Sequence, residues 1–158
     1  MNKESLSIHG VLLSIDNIGI IIRGKSGIGK SECAAELINK GAKLVADDLV
    51  IVTLSDGELI GASPEKIRNL IEIRGIGILN VKDIFGALAV MEESKIHLII
   101  DLIEFNKENK YDRLGYDTVQ EKIMSVPLPK IQIPVSPGRN VSTLIEIALK
   151  KLIFEDRL

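Results

Sequence analysis

Gly24-Lys25-Ser26-Gly27-Ile28-Gly29-Lys30-Ser31 is the stretch on which the fold turns. It satisfies G-x-x-x-x-G-K-[ST], which the chain's own Gly, Lys, Ser and Thr frequencies would produce by chance roughly once in 100 such chains. The chemistry explains the spacing. Glycines let backbone N–H groups converge on phosphate oxygens, and a helix starting where the loop ends adds the positive end of its dipole. Such a loop needs a strand before it and a helix after it. Ile18–Arg23 is an aliphatic run of strand length. Ser31–Lys40 puts Cys33, Ala34, Leu37 and Ile38 on one helical face, with Glu32 near the positive end and Gly41 placed to cap the other. In that setting Lys30 reaches the β- and γ-phosphates of a nucleotide, and the Ser31 hydroxyl is a ligand for Mg²⁺.

Outward from the loop, short aliphatic runs alternate with helical patterns, which predicts α/β layering. Gly10–Ile15 pairs with Ile18–Arg23 through a tight turn at Asp16-Asn17. Lys43–Ala46 runs as a strand into Asp47-Asp48, followed by Leu49–Leu54 and a turn at Ser55-Asp56-Gly57. Pro64 predicts a short helix reaching about Ile71, and the glycines of Glu72–Asn80 predict irregular backbone. Ile96–Ile103 reads as a strand, and Glu104–Arg113 as a mobile polar loop. Ile131–Ile133 reads as a strand with one exposed face. After the break at Pro137-Gly138, Val141, Leu144, Ile145, Ala148, Leu149 and Leu152 form a helical stripe assigned to the core.

Composition narrows the function classes. A chain of 158 residues is expected to form one domain over 1–158. A net charge of −2 and 3% aromatic residues argue against nucleic acid as a partner. The 26 Ile, 19 Leu and 10 Val suit strands buried on one face or both, read here as parallel-type strands framing the phosphate loop. Cys33 is the single cysteine, so neither an internal disulfide nor an all-cysteine zinc site is available. No run approaches the roughly 20 apolar residues of a membrane helix, and Met1–Ser5 carries no signal-peptide core. The expectation is a soluble, cytoplasmic protein with no membrane partner.

A phosphate loop names the ligand and leaves the reaction open. Asp47 and Asp48 interrupt an aliphatic run sixteen residues after Ser31, and adjacent carboxylates there are costly unless they face a cation or a cleft. An acid in that place can order metal-bound water or accept a proton from a hydroxyl nucleophile. His9 beside a strand and Arg113 in a polar loop carry no role on spacing alone, and His97 between Ile96 and Leu98 reads as structural.

Together these segments resemble the C-terminal catalytic domain of the bacterial HPr kinase/phosphorylase family. The resemblance runs from about His9 to about Leu149. It rests on His9-Gly10-Val11-Leu12, the loop followed by Glu32, Leu44–Asp48, Leu59–Glu65, Ile71-Glu72-Ile73-Arg74-Gly75-Ile76-Gly77-Ile78-Leu79-Asn80-Val81, Tyr111–Gly115 and Pro134–Asn140. It implies an α/β fold with a P-loop nucleotide-binding core of the PEP carboxykinase-like kind, a mixed β-sheet and flanking helices. It also implies ATP and Mg²⁺ as cofactors, held on Gly24, Lys25, Ser26, Gly27, Ile28, Gly29, Lys30 and Ser31. The implied substrate is a serine of HPr, the phosphocarrier protein of the sugar phosphotransferase system, with reversal by inorganic phosphate. Asp48 would be the proton acceptor in the kinase direction, with Asp47 beside it. Glu72 would join Ser31 as a metal ligand, and His9, Lys30 and Arg113 would complete the catalytic set. A hexamer is implied as the assembly.

Two departures from the family pattern matter. Only eight residues precede His9, where the family has a full N-terminal domain. Ser136, Leu88 and Met91 stand where the family carries Arg, Gly and Arg, the last two in a segment, Phe85–Met91, that is a flexible loop in the family. Losing cations there predicts weakened phosphorolysis with kinase chemistry retained. Two other functions stay open at this point: a kinase for another protein or a small hydroxyl substrate, and a non-catalytic ATP-binding regulator.

Overall fold

The computed structural model describes residues 4–105 and 119–158. Twelve strands and three helices are found among them: β1 (Ser5–His9), β2 (Val11–Ile15), β3 (Ile18–Arg23), α1 (Lys30–Asn39), β4 (Lys43–Ala46), β5 (Leu49–Ser55) and β6 (Glu58–Ala62). They continue with β7 (Leu70–Ile73), β8 (Gly77–Asn80), α2 (Val81–Phe85), β9 (Glu93–Lys95), β10 (Leu98–Glu104), β11 (Val119–Ile123), β12 (Val126–Val135) and α3 (Val141–Phe154).

The central sheet has six strands in the order β11-β12-β10-β3-β2-β4. It is mixed. β3, β10 and β12 run parallel, whereas β2 is antiparallel to β3 and β4, and β11 antiparallel to β12. The expectation of parallel-type strands is therefore corrected to the three that surround the phosphate loop. Register explains the aliphatic wealth. Val11, Leu13, Ile20, Ile22, Leu98 and Ile100 share one cluster with residues of α1 and α3. Their alternating neighbours Leu12, Ile21 and Ile99 share another with Val50, Val52, Leu59 and Ile96. Both faces of the sheet are thus covered, by helices on one side and by a second, antiparallel sheet β1-β5-β6-β9 on the other.

Asp16 and Asn17, at φ 50° and 65°, form the tight turn joining β2 to β3. His97 is structural as expected. Its Nδ1 accepts the Gly19 N–H at 2.9 Å while its own backbone N–H donates to the Gly19 carbonyl at 2.8 Å. A side chain on Gly19 would collide with the Lys95 carbonyl.

Several local expectations are corrected. The helix after Pro64 is only a single 3-10 turn, Glu65–Ile67, because Leu70–Ile73 pairs instead with Gly77–Asn80. Pro64 itself sits at ψ 142°, in extended backbone. The glycines expected to make Glu72–Asn80 irregular close this hairpin, with Gly75 and Gly77 at φ 89° and 111°. Phe85–Met91 is the end of α2, a 3-10 turn over Ala87–Ala89 and a bridge from Val90 to Leu44, rather than an unstructured loop. The stripe on α3 reaches the core through Ile145, Leu149 and Leu152, as expected. No helix among the described residues is long and apolar enough to cross a membrane.

Candidate functional site

β3 carries the chain, fully buried from Gly19 to Ile22, to the loop at Gly24. A side chain on Gly24 would come within 2.9 Å of both the Leu102 carbonyl oxygen and Ile28, so the loop leaves β3 pressed against β10. Gly27 and Gly29 adopt φ 85° and 109°, left-handed backbone that turns the loop into α1. The Lys30 ammonium folds back along the loop, donating to the Gly24 carbonyl at 2.6 Å and the Lys25 carbonyl at 3.0 Å. Lys25 pairs with Glu104 at the end of β10.

Asp47, at the end of β4, is 6% exposed. One carboxylate oxygen accepts the Ser31 hydroxyl at 2.9 Å, and the other accepts the Glu72 backbone N–H at 3.1 Å. One buried acid thereby ties the loop's last residue to the strand that carries Glu72. Burial pushes the Asp47 carboxyl above its usual range, and the Glu72 and Ser31 hydrogen bonds pull in the opposite direction. Among the described residues no cationic side chain pairs with it.

Asp48 differs from its neighbour. It sits at φ 70°, and the Leu49 N–H reaches across it to the Asp47 carbonyl at 2.8 Å. The side chain is exposed where Asp47 is buried. The Asp48 carbonyl accepts the Gly10 N–H at 3.1 Å, and His9 pairs in register with Leu49, so His9 and Asp48 are brought together on adjoining backbones. Glu72 is exposed on β7, two residues before Arg74. The Arg74 guanidinium lies 3.5 Å from the point where a Gly27 side chain would begin. Arg74 is the residue that motif reading missed. It is the first residue of the turn that follows β7, two positions beyond the already singled-out Glu72. Arg113 lies outside the described residues, as does most of the Glu104–Arg113 loop. Burial raises the Cys33 thiol to about 12, so it is a wall of the site and not a nucleophile.

The donor set at Ser31, Asp47 and Glu72 is all oxygen, which suits a hard cation such as Mg²⁺. Among the described residues no group of three or more His, Cys, Asp or Glu forms a metal site.

A glycine loop between a buried parallel strand and a helix, faced by a buried acid that holds the loop serine, defines a P-loop protein built to bind nucleotide phosphates. The profile of the HPr Serine kinase C-terminal domain matches residues 2–157, and the chain belongs to that family. Among its relatives, the HPr kinase/phosphorylase of Geobacillus thermodenitrificans (strain NG80-2) is 48% identical over 143 residues, covering 90% of this chain and 46% of the relative. That of Latilactobacillus sakei subsp. sakei (strain 23K) is 48% identical over 146 residues, covering 92% of this chain and 47% of the relative. The chain thus spans a little under half the length of these curated relatives. A solved structure, that of the Hpr(Ser) kinase/phosphatase from Coxiella burnetii, superposes with a TM-score of 0.88 at 35% identity, covering 95% of this chain and 92% of that one. The mixed-sheet α/β fold implied by the resemblance is the fold found.

Proposed function

We propose that this chain is an ATP-dependent serine kinase acting on the HPr phosphocarrier protein. The observation that carries the reading is the Ser31–Asp47–Glu72 link at the mouth of the phosphate loop. Gly24–Ser31 would hold the nucleotide phosphates on backbone N–H groups, with Lys30 turning from the loop carbonyls to the β- and γ-phosphates. Ser31 and Glu72 would hold Mg²⁺, which would supply charge neutralisation for the nucleotide phosphates. Asp47 fixes both of those elements and acts as a support. Asp48, exposed and turned away from the core beside His9, accepts the proton of the attacking serine hydroxyl. Arg113 and Lys30 would offset charge on the transferring group.

Phosphorolysis would be weakened. Ser136 holds the turn of its segment by accepting the Arg139 N–H at 3.2 Å, but it brings no cation to capture inorganic phosphate. The hexamer implied by the resemblance would have the exposed apolar residues Ile147, Ile153 and Phe154 of α3 available for contacts between copies.

Labelled ATP supplied with HPr tests the reading. Label on an HPr serine is expected, with little phosphate-dependent pyrophosphate release from the product. Tight ATP binding without transfer would replace the kinase with a regulator, and transfer only to another protein or a small hydroxyl compound would replace the substrate.

A further inference from the structure

The phosphate loop holds two lysines, and the structure engages them differently. The Lys30 ammonium rests on two neutral carbonyls of the loop itself, those of Gly24 and Lys25. Lys25 is paired with a full negative charge, the Glu104 carboxylate. Strand geometry fixes that partner. β10 runs parallel to β3 on one side and to β12 on the other, so its carboxyl end lies beside the loop that leaves β3. Leu102 meets the loop first, with its carbonyl oxygen 2.9 Å from the point where a Gly24 side chain would begin. Glu104 lies two residues further along the strand, so its side chain leaves the same face as that of Leu102. Its register with Val135 of β12 keeps it on paired strand.

The backbone of Lys25 has a separate task. Its carbonyl accepts the Ile28 N–H at 3.2 Å and the Lys30 ammonium at 3.0 Å, which closes the turn of the loop. The side chain is not needed for that shape. It is 60% exposed and its Glu104 partner 70%, and a pair so open to solvent biases an equilibrium by no more than about fivefold. Such a pair opens readily. A phosphate arriving on the loop competes with Glu104 for the same ammonium, and meets the Glu104 charge as it does so. We infer that Glu104 sets how firmly the loop holds a polyphosphate. It keeps Lys25 in reserve, weakens retention of a bound nucleotide, and thereby hastens departure of the nucleoside diphosphate left after transfer, a step that limits turnover in many enzymes. The inference rests on the phosphate-loop reading and adds to it a counter-charge from outside the loop.

Calorimetry of the whole chain with Mg²⁺ and either ATP or inorganic tripolyphosphate tests it. Glu104→Gln keeps the shape and removes the charge. It should tighten both ligands about three- to tenfold and slow ADP dissociation in proportion. Lys25→Met removes the ammonium and should weaken both ligands about three- to tenfold, with both shifts shrinking in added salt. It should cost more in the Glu104→Gln background than in the wild type, because the ammonium then has no partner to leave. The opposite signs separate this role from a structural one, in which losing either partner loosens the loop and weakens both ligands alike. Unchanged or weaker binding in Glu104→Gln overturns the inference, as does tightening confined to ATP. Unchanged affinity in Lys25→Met, or an equal cost of Lys25→Met in the two backgrounds, overturns it as well. Wild-type protein that binds neither ligand overturns the phosphate-loop reading itself, a different failure.

Discussion

Two sets of carboxylates flank the same loop, and the protein treats them in opposite ways. Immediately before Gly24, Arg23 donates two hydrogen bonds to Asp101, at 2.7 and 2.9 Å, and two to Glu121, at 2.7 and 2.8 Å. Lys130 adds a third contact, at 3.1 Å, to Glu121. The Arg23 guanidinium and then Lys130 hold the Glu121 carboxyl down to about 2. At the loop's other end, held against Ser31 from the end of β4, Asp47 is more deeply buried and has only neutral donors among the described residues. Burial pushes its carboxyl the other way. The first set is complete as structure, since every charge has its counter-charge at bonding distance. Under the proposed function the second would be completed only by a cation that arrives with the substrate, and its cost would be justified by chemistry and not by the fold.

The contrast fails if acids near Asp47 prove to matter for stability alone. Asp48→Asn is the strongest test of it, because asparagine tolerates the left-handed backbone at φ 70° and only the proton-accepting charge is lost. Phosphoryl transfer to serine should fall by at least ~100-fold, the low end of general-base effects, with the melting temperature little changed. Activity near that of the wild type would return Asp48 to the solvated surface. Asp47→Asn comes next. It keeps one acceptor and loses the other, loosening the tie between Ser31 and Glu72. The Mg²⁺ concentration for half-maximal activity should rise about 10–100-fold, as for other residues that orient metal ligands. A titration of rate against Mg²⁺ that superposes on the wild-type curve would remove Asp47 from that role.

How much of this the sequence disclosed differs between the same two regions. The loop, its strand and its helix were legible because phosphate binding demands a fixed residue pattern with fixed flanks. The turn at Asp16-Asn17 was legible for a similar local reason. The second sheet was legible only in the strand Leu49–Leu54 and the turn at Ser55-Asp56-Gly57. Ser5–His9 is exposed along most of its length and alternates only two apolar residues, Leu6 and Ile8, with polar ones, and Glu93–Lys95 is too short to show a pattern. Pro64 pointed to a helix because a proline suits a first helical turn, yet pairing of Leu70–Ile73 with Gly77–Asn80 outweighed that weak local preference. Nothing in the pair Asp47-Asp48 says which acid faces inward. That is decided by the left-handed backbone of Asp48, a tertiary outcome. The Arg23 network was invisible because its members lie 78 and 98 residues apart.

The structural half of the comparison makes the complementary prediction. Arg23→Ala leaves Asp101 and Glu121 partly buried without their main partner. The side chains retain 18% and 30% exposure, so the loss is set below the ~3–5 kcal/mol of a fully buried pair, at about 2–3 kcal/mol in urea unfolding. Activity per folded molecule should suffer far less than in Asp48→Asn. A variant as stable as the wild type would mean that the network is a surface decoration.

The smallest effect is the most diagnostic, because it reads the sign of the charge balance. The Arg23 guanidinium holds the Glu121 carboxyl down to about 2 in the folded protein, below the ordinary glutamate range. A carboxyl whose pKa is depressed by folding contributes stability that is fully present above its unfolded value and is lost as pH falls towards the folded one. The difference in melting temperature between wild type and Glu121→Gln should therefore be constant above about pH 5 and shrink steadily between about pH 4.5 and pH 2. Added salt should reduce it throughout, because Glu121 remains partly exposed to solvent. A difference that instead grows on acidification would mean that Glu121 is strained in the folded state. The distinction between a charge-satisfied set before the loop and an unsatisfied one after it would then collapse.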